Sequence, residues 1–128
     1  MAWYLAAMAQ TVRVAYVEDD PEMAQFVKFG LEVAQAFDVA IYPDGATALA
    51  KLTAPPDVLL LDIGLPDLDG VELCGRLRAR YPRLPILVLT AYPAERERAL
   101  AAGASDFLAK PVTIRELRSR LRLLAGVV

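Results

Sequence analysis

A doubly wound α/β domain, with one five-stranded parallel sheet covered by helices on both faces, is the fold this sequence predicts. Three observations predict it. Short apolar runs alternate with amphipathic helical segments along the chain. The runs Val58-Leu59-Leu60-Leu61 and Ile86-Leu87-Val88-Leu89 show no polar alternation, as strands buried on both faces require. Four runs also end directly on polar residues: Val12 to Val17 on Glu18-Asp19, the third-strand run on Asp62, the fourth on Thr90, and Phe107-Leu108-Ala109 on Lys110.

The first strand spans about 12–17. A helix follows from about Pro21 to Gln35, with Asp20 as N-cap and Pro21 at the first helical position, where its missing N–H is harmless. Met23, Phe26, Val27 and Leu31 recur at helical spacing and form its expected apolar face. The second strand runs from Asp38 to Ile41. A short helix over roughly 44–52 carries Ala46, Leu49 and Leu52. The third strand, 58–61, leads into a loop from Gly64 to Gly70. A helix over about 70–80 buries Val71, Leu73 or Cys74, and Leu77. The fourth strand is 86–89, a short fourth helix spans about 94–102, and the fifth strand is 106–109. The last helix, about 113–125, carries Leu117, Leu121 and Leu124.

A chain of 128 residues fits one domain and can bury a core without disulfides. Lys and Arg number 14 against 16 Asp and Glu, a net of −2, so no electrostatic reason exists to expect direct nucleic-acid binding. The single cysteine, Cys74, cannot pair internally and suits a reducing cytoplasm. No apolar run reaches the ~18 residues of a membrane span. Histidine is absent, which excludes Ser/His/Asp hydrolysis and histidine-ligated metals; any phosphohistidine must come from a partner. Residues 1–10 lack the basic start of an export signal and read as an N-terminal extension of unknown role: a tail, or an upstream start before a natural start at Met8, or a segment whose Trp3, Tyr4 and Leu5 pack on a partner or on the domain. Residues 11–128 form the expected domain.

In open α/β sheets ligands bind beyond the carboxyl ends of the strands, where strand order reverses. In the order 2-1-3-4-5, Asp62 lies beside Glu18 and Asp19. Three clustered carboxylates repel, and a hard cation relieves them. Mg²⁺ suits one or two direct carboxylates, a carbonyl and several waters. Asp19, Asp62 and the Gly64 carbonyl are the expected direct ligands, with Glu18 acting through a water; Mn²⁺ is the alternative ion. Such a site offers a carboxylate nucleophile for phosphoryl capture, with Lys110 as a point charge and Thr90 as a hydroxyl donor.

Val-Glu-Asp-Asp-Pro at 17–21, Leu-Leu-Asp-Ile-Gly-Leu-Pro-Asp-Leu-Asp-Gly at 60–70, Leu-Thr-Ala at 89–91 and Lys-Pro at 110–111 together resemble a response-regulator receiver domain of two-component signalling. The resemblance covers about residues 11–125. It implies a chemotaxis-receiver-like (flavodoxin-like) fold, with Asp62 as phosphoacceptor and Glu18 and Asp19 as the acidic pair. Thr90, Ala91 and Lys110 would hold the phosphoryl group. Thr90 and Phe107 would switch the helix 4–strand 5–helix 5 face, and Gly64 and Tyr92 would tune dephosphorylation. A sensor histidine kinase is the implied partner. A fused output domain beyond Val128 is a further expectation.

Helix 4–strand 5–helix 5 also resembles the winged-helix (OmpR-like) subfamily, in which cross-subunit ion pairs join this face. Arg96 with Glu116 and Asp106 with Arg120 fall near those positions; the alternative is a solvated charged face. From Thr90 to Gly103 the segment is about two residues shorter than is usual in the family, which should shorten helix four or the loop before it.

Rival functions are separable by residues. An aspartate-nucleophile phosphatase needs a second Asp two residues after the nucleophile, where Gly64 stands. A flavodoxin-type cofactor binder needs a hydroxyl- and glycine-rich loop, where Glu18-Asp19-Asp20-Pro21 would repel phosphate. A receiver-like interaction domain that never takes phosphate is the remaining alternative.

Overall fold

The computed structural model describes residues 11–33, 36–64 and 69–127. Five strand–helix units follow one another: β1 (Val12–Val17), α1 (Pro21–Glu32), β2 (Phe37–Tyr42), α2 (Gly45–Lys51), β3 (Val58–Asp62), α3 (Gly70–Arg80), β4 (Ile86–Thr90), α4 (Arg96–Ala101), β5 (Asp106–Ala109) and α5 (Ile114–Leu124). All strand pairs are parallel, and their order is β2-β1-β3-β4-β5, as the sequence predicts.

Strand periodicity splits the core in two. Alternate side chains point to opposite faces of a sheet. Val14, Tyr16, Leu60, Leu87 and Leu89 therefore pack beneath α1 and α5 with Val27, Leu31, Leu117 and Leu121. Ala15, Val17, Leu59, Leu61 and Val88 pack on the other face with Ala48, Leu73, Cys74, Leu77 and Ala99. Every residue of β3 and β4 is buried. Each fully buried Leu there stabilises the fold by roughly 1.5–3 kcal/mol relative to exposure.

Local chemistry starts and stops the helices. Asp20 caps α1, accepting from the backbone N–H of Glu22 at 3.0 Å, so its carboxylate serves the helix rather than the acidic cluster. Asp44 caps α2 through Thr47 N at 2.7 Å. Thr113 and Glu116 form a capping box at the start of α5. Gly70 opens α3 because nothing larger fits: a Cβ there would lie 2.8 Å from the Cα of Ile63.

The structure departs from the sequence reading in several places, among them Val71 of α3, expected to be buried and only half-buried. First, α1 ends at Glu32, short of Gln35, which lies outside the described residues. Second, Met23 and Phe26 do not face the core; they are 43% and 64% exposed, and Ala24, Val27 and Leu31 are buried instead. The small Ala24 lets the 24–27–31 line seat on the sheet, which turns Phe26 outward. Third, α2 buries Gly45 and Ala48 and leaves Ala46 exposed. Fourth, β2 extends one residue beyond expectation at each end, because its ladder with β1 runs from Val12–Phe37 to Val17–Tyr42. The short segment after Thr90 is resolved as expected: a single 3₁₀ turn over Pro93–Glu95 precedes a six-residue α4.

Candidate functional site

Register places the polar strand ends together. Val17 pairs with Leu61, so Glu18 and Asp62 leave adjacent strands side by side. Asp62 is level with Leu89, and Thr90 with Ala109. The Lys110 backbone N–H donates to the Thr90 carbonyl at 2.8 Å, which fixes the lysine at the same edge. The Lys110–Pro111 peptide is cis. Glu18, Asp62 and Thr90 are the buried polar residues of the described chain, at 4%, 7% and 1% exposure.

Charge explains what these groups do to one another. The Lys110 ammonium donates to Asp62 Oδ2 and pairs with it. Glu18 feels the neighbouring carboxyls of Asp62 and, more weakly, Asp19. Burial, then its contact with Asp62 and that carboxylate's charge, pushes the Glu18 carboxyl up to about 7; Lys110 pulls it partly back. Tyr16 donates its hydroxyl to Glu18 Oε1 at 3.4 Å, and burial followed by the Glu18 charge raises its pKa. Asp19 is exposed, at the mouth of the cluster.

The donor set suits a hard divalent cation. All candidate donors are oxygens, and the carboxylates carry excess negative charge that one lysine only partly offsets. Among the described residues no three His, Cys, Asp or Glu side chains stand as a ready ligand cage. A Mg²⁺ site needs fewer, since waters complete its octahedron. Gly64, two residues past Asp62, has φ +113° with open space around it, so backbone conformation, not crowding, demands glycine there.

A second wall faces Asp62. A cavity of about 250 Å³ is lined by Ile63, Gly64, Asp69, Thr90, Tyr92 and Arg98, among others. The Thr90 hydroxyl oxygen accepts from the Tyr92 backbone N–H at 3.0 Å. Arg98 spans one side of the cavity, reaching Asp69 at 3.1 Å and Glu95 at 2.6 Å. Sequence reading missed Arg98, because its partner Asp69 lies 29 positions away and no local pattern marks the pair. Tyr92 stands at the rim, 70% exposed.

A family model for the response regulator receiver domain matches residues 14–122. The chain belongs to this family. The receiver is 41% identical over 114 residues to the transcriptional regulatory protein TrcR of Mycobacterium tuberculosis, covering 87% of this chain and 44% of that protein. Among solved structures, the Francisella response regulator 1452 receiver domain is 32% identical with a TM-score of 0.82, covering 90% of this chain and 97% of that one. The response regulator TrrA of Thermotoga maritima, in complex with Mg(2+)-BeF, is 26% identical with a TM-score of 0.80, covering 88% and 98%. The receiver spans about half the length of the curated relatives it matches. It is thus the receiver domain of a two-component response regulator, a signalling domain. Among its described residues no helix is long and apolar enough to cross a membrane.

The remaining sequence-derived residues lie around this centre. Ala91 is exposed and borders a second cavity with Lys110 and Pro111. Phe107 is half-buried on β5, level with Val88, and packs against the α3-side core. On the α4–β5–α5 face, Arg96 bonds Glu97 at 2.9 Å, Arg120 pairs with Asp106 in the same chain, and Glu116 serves the α5 cap.

Proposed function

We propose that the receiver accepts a phosphoryl group on Asp62 from a phosphohistidine of a sensor histidine kinase. The observation that carries this reading is the pairing of a 7% exposed Asp62 with Lys110 between Glu18 and Thr90. An Asp62 oxygen attacks phosphorus as the bond to the donor's nitrogen breaks. Lys110 neutralises Asp62 before transfer and a phosphoryl oxygen after it. Thr90 turns its hydroxyl from the Tyr92 N–H toward the phosphoryl group. Asp19, Asp62 and the Gly64 carbonyl would hold Mg²⁺, or Mn²⁺, with Glu18 reached through water. The bound cation supplies charge neutralisation at the phosphoryl oxygens. The Mg(2+)-BeF complex of TrrA supports this assignment.

The switch that the resemblance implies runs from Thr90 to Phe107. Thr90 moving inward leaves space that Phe107 fills, and the α4–β5–α5 face changes shape. A homodimer through that face would require Arg120 and Asp106 to exchange their intrachain partner for one across the dimer. The length of the curated relatives, and TrcR's printed role in transcription, support an output domain beyond Val128.

Incubation with acetyl phosphate and Mg²⁺ tests the assignment. A mass gain of one phosphoryl group is expected, and none for Asp62→Asn. No gain in the native chain would favour an interaction domain that works without phosphate. Tyr92, on the rim of the Thr90 cavity, shields the phosphoryl group from water. Tyr92→Ala is expected to shorten the lifetime of phospho-Asp62 several-fold, followed by loss of mass; an unchanged decay rate rejects the role.

A further inference from the structure

The sheet has two edges, and they are unequal. One is β5, with four residues; the other is β2, with six. A long edge strand is a template for pairing with another chain, and proteins blunt it with lysine, proline or a covering element. β2 itself carries neither lysine nor proline. Its ladder fixes which of its groups face outward. The Val12 N–H donates to the Ala36 carbonyl at 2.9 Å and the Glu18 N–H to the Tyr42 carbonyl at 3.0 Å, so the even-numbered residues of this stretch turn toward β1. Phe37, Val39 and Ile41 therefore present their N–H and C=O groups to the open side. At the middle one both groups are taken. Glu32 Oε2 accepts from the Val39 N–H at 2.8 Å, and the Lys28 ammonium donates to the Val39 carbonyl. Lys28 and Glu32 also pair with each other at 3.1 Å, one turn apart on α1.

We infer that Lys28 and Glu32 act as a surrogate strand, closing the β2 edge against a second copy of this chain. One side chain supplies the donor, and the other the acceptor, that a paired backbone would supply. Identical edges meet about a twofold axis, so each copy uses the same patch. In an antiparallel meeting of two β2 strands centred on Val39, the two Val39 residues would exchange both N–H···O bonds. Those are the two groups that the side chains hold. The strand otherwise suits pairing, because Phe37, Val39 and Ile41 are aromatic or β-branched. Charge adds a second barrier. Lys28 and Glu32 are each about a third exposed, and a facing copy would strip that remaining water from two such pairs at once. Self-association is thereby kept off β2.

Hydrogen exchange and sedimentation test this on the full chain. In the native protein the Val39 amide is expected to exchange many-fold more slowly than those of Phe37 and Ile41 on the same edge. In Lys28→Ala/Glu32→Ala that protection should vanish in dilute samples. The variant should also self-associate at concentrations where the native chain does not, read as a doubling of the sedimenting mass. Alanine is the best helix former, so the variant is expected to keep the native far-ultraviolet dichroism. Adding Ile41→Pro should return it to native behaviour. The Ile41 N–H faces away from β1, so proline breaks no bond within the sheet but denies one to a partner. Should the double variant lose the native dichroism, Glu32→Ala alone frees the Val39 N–H and gives the same reading. Three results would overturn the inference: a native Val39 amide that exchanges as fast as its two neighbours on the edge, a folded variant whose mass follows the native chain's at every concentration, or association that survives Ile41→Pro. The last would place the contact elsewhere on the surface.

Discussion

Lys110→Ala is expected to slow phosphoryl uptake from acetyl phosphate by about two orders of magnitude. The side chain is the positive group paired with Asp62 in the site, and it sits at 33% side-chain exposure against 10% for the aspartate. In that half-enclosed setting a positive charge acts with little screening. Without it, three carboxylates face an incoming dianion with no fixed counter-charge. A bound cation would supply charge neutralisation of its own, but it would not restore the ammonium that pairs with Asp62. Lys110→Arg is expected to recover little, since a planar fork cannot occupy the place of a compact ammonium. The initial rate of mass gain at saturating Mg²⁺ reads the effect. A fall of less than about threefold would remove Lys110 from the transfer step.

Stability of the metal-free receiver should fall as pH rises, the reverse of ordinary acid denaturation. The Glu18 carboxyl titrates at about 7 in the folded chain against an ordinary 4.5. Between those values the folded chain binds more protons than the unfolded one, so stability is full below the unfolded value and is lost as pH climbs through about 7. The shift corresponds to at most about 3 kcal/mol, or about 10 °C in melting temperature for a domain of this size. Thermal melts in chelator at pH 5 and pH 8 measure it. Glu18→Gln should flatten the profile, and Mg²⁺ should recover most of the loss at pH 8. A native profile that stays level or rises over that interval would show that Glu18 does not carry the charge strain.

Much of this was legible in the primary order because the sheet is doubly covered. A strand buried on both faces must be apolar throughout, so its end is announced by the first polar residue. That rule located Asp62 and Thr90, the less uniformly buried runs of β1 and β5 pointed to Glu18 and Lys110, and strand order then brought them together. Asp20 was equally readable, since a capping carboxylate before a proline has a local signature. Less was legible where the sequence offered surplus. Helix α1 carries apolar residues around most of its circumference, so periodicity could not say which line seats on the sheet; the size of Ala24 decided it. The bond from Tyr92 N–H to Thr90 and the Arg98–Asp69 link were hidden for another reason. The first is a local side-chain turn that many threonines could make, and the second joins residues far apart in the chain that only the tertiary fold brings together.

The fit of Gly70 against Ile63 has a mechanical consequence. Helix α3 abuts the main chain just past Asp62 with no slack, so that flank of the pocket is stiff. At the pocket rim the opposite flank, from Tyr92 to α4, is joined to it by a solvent-facing guanidinium bridge worth at most about 1 kcal/mol, while deeper down Ala99 shares the core of Leu73, Cys74 and Leu77. A push delivered at Asp62 therefore meets unequal compliance. If Asp62 takes the phosphoryl group as proposed, displacement would travel toward β4, α4 and β5 because that side yields, and the direction in which the message leaves the pocket would be set by where the molecule is soft.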